Sequence, residues 1–378
     1  MKNLSANKFR VKIFKKLMGF ASVFQNLPAK ISPPPFRLMQ IGSLFWQSRA
    51  LYVATKLGIA DVIGEAQKST NEIAAELHLH EDYLYRLLRM LGSMGIFNEI
   101  SPRVFKNSKT SEFLRVDNPK NVRAMILMHN SPEMTKPWME SLEVSLRDGG
   151  IPFALVHGVD LFSYMDQNKD FDLLFSQAMD TVESLTGNLF LEDFNWGAFD
   201  RIIDVGGSKG SKSIAILKAF PELKATVFDR PQIIETAKTY WNGKVAAELL
   251  ARIDFQSGNM FENLPITESD KDLYVFSAIF HGLSDKDAQK VLSNLKVAIG
   301  SKQPYVLIAD SVAEEMHINP TVAAFDMQML IGTNGWERTL SEWKILLDGC
   351  GFDIVHVMDV RTFAKFIVAK QRDSNHHA

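Results

Sequence analysis

The chain has 378 residues, 42 Lys and Arg against 44 Asp and Glu, 46% hydrophobic residues and one cysteine, Cys350. That length accommodates two or three domains with a full core, and a formal charge of −2 lacks the basic excess of a dedicated nucleic-acid binder. A single cysteine excludes a disulfide scaffold and a cysteine zinc site and points to a reducing, cytoplasmic setting.

The even charge balance hides an asymmetry. The first 60 residues hold ten Lys and Arg and no acid, which leaves 32 bases against 44 acids in the remainder. Residues 1–35 therefore read as a basic extension, in which Phe9, Val11, Ile13, Phe14 and Leu17 alternate with Lys8, Arg10, Lys12, Lys15 and Lys16. Three fates suit such a segment: contact with an anionic membrane surface, organelle import, or an appendage that packs on its own dimer or stays mobile. It is too interrupted for a cleaved secretory signal, and no apolar run reaches the roughly 20 residues of a spanning helix. Pro33, Pro34 and Pro35 then form a stiff break.

Residues 36–115 read as helices closed by a two-stranded wing. Leu38, Ile41, Leu44, Phe45, Leu51 and Ala54 recur near helical spacing. Ser69 with Glu72 marks a helix start, Leu84, Leu87, Leu88 and Leu91 form the face of a second helix, and apolar residues flank a turn at Ser101-Pro102. This is a winged-helix pattern. Its second helix offers Glu81 and Asp82 beside Arg86 and Arg89, a mixed surface poorly suited to phosphate, so dimerisation or a lid over substrate is favoured over DNA. Residues 116–198 read as a helical linker rich in Met and Phe. Most of these side chains are core, with a minority free to line an apolar pocket.

From residue 199 to 372 short apolar strands alternate with helices, as in a parallel sheet covered on both faces. Strands are expected in the segments RIIDVGG, ATVFD, DLYVFSAIF and PYVLIAD. FDIVHVMDV and FAKFIVAK form a closing hairpin. The first strand runs into Asp204, Gly206, Gly207 and Gly210, a glycine turn at the carboxyl end of a strand where such sheets bind ligands. Asp229 ends the next strand, 19 residues after Gly210, where a carboxylate accepts ribose hydroxyls. A phosphate loop would need glycine before Lys-Ser, and Ser211 stands there. The spacing also fails G-x-G-x-x-G, although Arg230 could hold a 2′-phosphate. An adenosyl ligand without phosphate fits best.

With these residues in place, the chain resembles the S-adenosylmethionine-dependent small-molecule O-methyltransferases, the group that includes caffeate, hydroxyindole and polyketide enzymes. The likeness spans roughly residues 36–370 and rests on FSQAMD, DVGGSKG, FDRPQII, SGNMFENLP, IFHGLSD and WERTLSEWKILLDGCGF in that order. It implies a Rossmann-like, seven-stranded α/β domain behind a helical winged-helix dimerisation domain, a homodimer, and S-adenosylmethionine held by Asp204, Gly206, Gly207, Gly210, Asp229, Arg230, Asn259, Met260, Phe261 and Ser277. His281 matches the family's base, with Asp310 and Glu337 as its flanking acids. Glu314 and Glu315 are alternatives for the first acid, and an exposed Glu337 paired with Arg338 is the bland alternative for the second. Met128, Phe175, Met179, Asp180, Phe325 and Met329 are expected to meet a flat, mostly apolar acceptor, with Trp138 and Trp336 as further candidates. No metal is expected, because the remaining histidines do not cluster. The chain departs from the family pattern at Ser208 (usually Gly), Asn259 (usually Asp) and Gly282-Leu283 (usually Asp-Trp). Two other outcomes stay open at this level: a related enzyme that binds the cofactor without transferring its methyl, and a ligand-sensing DNA-binding protein.

Overall fold

A computed structural model describes residues 4–362 and 364–372. It consists of two compact units, one formed by residues up to 19 together with those from 188 onward, the other by residues 20–187. The opening helix α1 (Lys8–Ile31) contributes to both. Among the described residues no helix is long and apolar enough to cross a membrane.

In the unit of residues 20–187, α2 (Pro34–Lys56) begins with prolines, whose missing N–H and fixed φ suit a first turn. It is followed by α3 (Ile59–Ile63), β1 (Gln67–Ser69), α4 (Thr70–Leu77), α5 (Glu81–Ser93), β2 (Phe97–Ser101) and β3 (Val104–Asn107). Ser69 and Glu72 cap α4 reciprocally, as their spacing predicts. The strands form a small sheet in the order β1-β3-β2. Ile73, Leu84, Leu88, Leu91, Phe97 and Phe105 make its core. Arg103, in the turn between β2 and β3, pairs with Glu81 and Asp82 at 3.0 and 2.8 Å, so the acids of the second helix are neutralised within the fold. Further on, α6 (Arg123–His129) and α7 (Lys169–Thr186) help enclose a second core of Met128, Met134, Phe153 and Phe171.

The other unit alternates β4 (Arg201–Val205), α8 (Ser211–Ala219), β5 (Lys224–Asp229), α9 (Pro231–Trp241), β6 (Ile253–Ser257), β7 (Asp272–Ser277), α10 (Asp285–Ile299), β8 (Tyr305–Asp310), α11 (Pro320–Gly332), α12 (Leu340–Gly349), β9 (Phe352–Asp359) and β10 (Lys365–Gln371). The seven strands lie in the order β6-β5-β4-β7-β8-β10-β9. Neighbours from β6 to β8 are parallel, and β10 runs antiparallel to both β8 and β9. The central strands are buried on both faces, which explains their unbroken apolar runs. Ile202, Val227 and Leu273 enter one core layer, and Ile203, Tyr274, Phe276 and Ile308 the other. β6 is absent from the strands expected above. Its sequence alternates buried and exposed residues, as an edge strand does, and is too short and polar to stand out.

The order of strands reverses direction between β4 and β7. Val205 pairs with Phe228 on one side and Phe276 on the other, so three strands end level. Everything that follows is built on those ends.

Candidate active site

The turn after β4 is shaped by the protein's own packing. Gly206 has φ +71°, and a Cβ there would lie 2.3 Å from Cδ1 of Ile279. A Cβ on Gly207 would lie 2.7 Å from the Asp204 carboxyl carbon. These glycines thus make room for neighbouring side chains as well as for a sharp turn. Asp204 is buried under the turn and accepts the Ser213 hydroxyl at 2.7 Å. Ser208 takes the left-handed conformation, φ +53°, where the family pattern has glycine, at a cost of about 1 kcal/mol. Its amide donates to Asp229 Oδ2 at 2.9 Å, and the Arg230 amide donates to Oδ1 at 2.7 Å. Burial raises the Asp229 carboxyl above its usual value, and those amides only partly offset it.

Two further side chains brace this turn, and the sequence reading missed both. The Trp241 indole, at the end of α9, donates to the Lys209 carbonyl at 2.6 Å. Lys212, in the first turn of α8, donates to Ser277 Oγ at 2.8 Å and so ties the helix to the end of β7. Beyond β6, Asn259 Oδ1 accepts the Phe261 amide at 3.0 Å, a local turn that fixes the loop. Met260 and Phe261 pack against the lower core.

After β7 the chain turns through Ala278 at φ +55° into a short turn, Phe280–Gly282, which carries His281. Its Nδ1 lies 2.9 Å from Glu337 Oε1; Glu337 is 1% exposed and the imidazole 24%. Glu337 is therefore a buried partner of His281 and not an exposed acid paired with Arg338. Arg338 is itself fully buried. Its guanidinium donates to the carbonyls of Phe280 and Leu283, both at 2.7 Å, and to Asp285 at 2.9 Å, thereby clamping the segment that presents His281. Gly335 lies flat against the same segment: a Cβ there would be 2.1 Å from the His281 carbonyl oxygen. The Glu337 amide donates to Asp326 of α11 at 2.8 Å.

Asp310, at the end of β8, accepts the Phe280 amide at 3.1 Å, so it is fastened to the backbone beside His281. Its other oxygen and Glu337 Oε2 are buried with no hydrogen-bond partner among the described residues. Burial pushes the Asp310 carboxyl up to about 6, against the opposing pull of a charged His281. For His281, burial favours the neutral ring, but the Glu337 hydrogen bond and the charges of Asp310 and Glu337 outweigh it and raise the imidazole above its ordinary value. Glu314 and Glu315 are exposed and accept the amides of Asn319 and Ser341, away from this cluster.

Leu283 is buried in the lower core. Phe325 and Met329 lie one turn apart on α11, flanking the Asp326 position, with Phe325 45% exposed. Trp336 lies under the Arg338 guanidinium, 4.4 Å from its ring centre. In the other unit, Met128 is buried core, Phe175 packs near Phe171 on α7, and Met179 and Asp180 follow on that helix with Met179 exposed.

A doubly wound sheet with a buried carboxylate at the end of β5 and a histidine–glutamate pair beyond β7 has the layout in which such sheets bind nucleoside ligands. Residues 138–353 match the O-methyltransferase domain, and residues 39–117 match the O-methyltransferase dimerisation domain. The chain is 28% identical to the phenazine O-methyltransferase of Lysobacter antibioticus over 92% of its own length and 99% of that protein. It is 31% identical to the 3-O-methylredipecamine 2-O-methyltransferase of Carapichea ipecacuanha, covering 82% of this chain and 87% of that one. The solved mitomycin 7-O-methyltransferase superposes with a TM-score of 0.80 at 25% identity, covering 89% of this chain and 97% of that one. The chain belongs to the O-methyltransferase family, and it is an S-adenosylmethionine-dependent O-methyltransferase with the family's dimerisation domain.

The residues at the strand ends fit that cofactor. Each Asp229 oxygen accepts one backbone amide and keeps capacity for a second hydrogen bond, as a pair of ribose hydroxyls requires. Asn259 Oδ1 likewise retains a lone pair for an adenine amine. Among the described residues no cluster of His, Cys, Asp or Glu could hold a metal ion.

Proposed function

We propose that the enzyme methylates a hydroxyl of an aromatic or polyketide-like small molecule, with His281 as general base. The observation that carries this reading is the His281–Glu337 pair beside the level ends of β4 and β7. Bound S-adenosylmethionine supplies an electrophilic methyl group on a sulfonium sulfur. Asp229 holds the ribose hydroxyls, Asn259, Met260 and Phe261 flank the adenine, and the backbone from Gly206 to Gly210, with Arg230 and Ser277, shapes the remaining contacts. Asp204 supports them from below the turn.

Glu337 accepts a hydrogen bond from Nδ1–H, which leaves the lone pair of Nε2 to face the acceptor. A phenol has a pKa of about 10, so removing its proton as the new bond forms lowers the barrier. Asp310 and Glu337 favour the imidazolium produced at that moment. Phe325 and Met329 offer apolar contact to a flat acceptor in keeping with the phenazine and mitomycin named for the relatives. The single, half-buried thiol of Cys350 suits a cytoplasmic enzyme.

Wild-type protein incubated with S-adenosylmethionine and a panel of phenolic and polyketide acceptors is expected to yield a product one methyl heavier. His281→Ala should lose that product while binding S-adenosylhomocysteine normally by calorimetry. A variant that still turns over at the wild-type rate removes His281 as base.

A further inference from the structure

Helix α1 has two sides, and the chain's own catalytic unit uses one of them. Leu4 and Val11 are buried against that unit. The Asn195 amide donates to the Leu4 carbonyl at 2.9 Å and the Ala6 amide to the Asp193 carbonyl at 3.0 Å. Arg10 pairs with Glu192 at 3.2 Å, and Lys15 pairs with Asp359 at the end of β9. These ties dock the start of α1 against the catalytic unit.

The other side carries Phe9, Ile13 and Leu17, which are 75, 42 and 63% exposed. At a spacing of four they form one stripe along the helix. Lys8, Lys12 and Lys16 share that spacing and run as an exposed row immediately beside it. Between this row and the end of β9 lies a groove of about 630 Å³, lined by the same lysines and His356 over Val11 and Met358.

We propose that this face of α1 seats the enzyme on an anionic phospholipid bilayer. Phe9, Ile13 and Leu17 enter the boundary between headgroups and acyl chains, and Lys8, Lys12 and Lys16 meet the lipid phosphates. Charge selects this occupant. Every charged side chain within the first 60 residues is positive, whereas the rest of the chain carries 44 acids against 32 bases. From Lys8 to Leu17 every charged side chain is positive, so an anionic surface attracts this face of α1. A second copy is the poorer fit. The family's dimerisation domain begins at residue 39, after α1 has ended. Because α1 is already docked, binding the bilayer costs little ordering of the chain.

The test is sedimentation of the full chain with vesicles of phosphatidylcholine alone or mixed with phosphatidylglycerol. The expected result is about 100-fold stronger partition onto the mixed vesicles, fading as salt rises. The triple variant Lys8→Gln, Lys12→Gln, Lys16→Gln should lose roughly fivefold per charge removed. Phe9→Ser with Leu17→Ser should abolish partition at low salt, with methyl transfer in solution and the mass of the assembly unchanged. Equal partition onto both vesicle types, partition onto neither, or variants that bind as the wild type does would overturn the proposal. A change of assembly mass in the Phe9→Ser, Leu17→Ser variant would also overturn it, by assigning the stripe to a second copy.

Discussion

His281 is held by one carboxylate on its ring and by another on the backbone amide of the residue before it. Both acids favour the protonated ring, so the working pKa lies above the ordinary 6.5. A base must be neutral to act, so kcat is expected to climb with pH and level off only above that raised value. Glu337→Gln removes the charge that holds the proton; the inflection of the pH–rate profile should then move to lower pH while the plateau falls roughly 10- to 100-fold. An inflection that stays in place would separate Glu337 from the ionisation of His281. At the turn, Trp241→Phe deletes one hydrogen bond to the Lys209 carbonyl. A loss of about 1 kcal/mol predicts roughly fivefold weaker S-adenosylhomocysteine binding by calorimetry, with the pH profile unmoved. The positions of Asp229 and His281 were legible because one closes a run that reads as a strand and the other follows such a run, while the base role of His281 came from the family resemblance. Arg338 and Trp241 were not, because the partner of a long polar side chain is chosen by the tertiary fold. Arg338 instead reads as the surface partner of its neighbour, and the fold buries both residues facing different groups.

The segments on either side of His281 act as one part. Phe280–Leu283 is gripped from below by Arg338 and from the side by Gly335. Arg338→Met would strip the buried Leu283 carbonyl of its guanidinium donor, leave the Phe280 carbonyl with only the Leu283 amide, and deprive Asp285 of its cation. A loss of about 3 kcal/mol is expected, read as a lower midpoint in urea unfolding at unchanged slope. Gly335→Ala forces a methyl group into the His281 carbonyl, so thermal stability and kcat should fall together while affinity for S-adenosylhomocysteine is kept. Retained activity in a fully stable Gly335→Ala protein would show that the loop tolerates displacement. Apolar strand runs made most of this unit readable: the segments RIIDVGG, ATVFD, DLYVFSAIF and PYVLIAD fall on β4, β5, β7 and β8. The irregular stretch from Thr333 to Glu337 has no periodicity, so its contact with the loop had no local signal. Its glycine is explained only by what lies beside it in space.

At the scale of the whole molecule, residues 39–117 carry the dimerisation domain, and α2 exposes Leu38, Ile41, Leu44 and Phe45. A contiguous apolar face of that kind on a helix calls for a partner surface. Leu44→Glu is expected to convert a dimer to a monomer in sedimentation equilibrium without lowering the helix content of the domain. The hairpin of β2 and β3 was readable from its turn residues, and the neutralising role of Arg103 was not, since it joins a turn to a helix some twenty residues earlier. The docked start of α1 has a last consequence. β9 is the outermost strand of its sheet, and its final residues share a groove with α1. A rim of unpaired backbone amides is an invitation to pair with another chain, and lysines beside it are a deterrent. Shortening the protein from its start would strip that guard and uncover the socket of Leu4. Such a trimmed enzyme should precipitate with time even though every group required for chemistry is still in place.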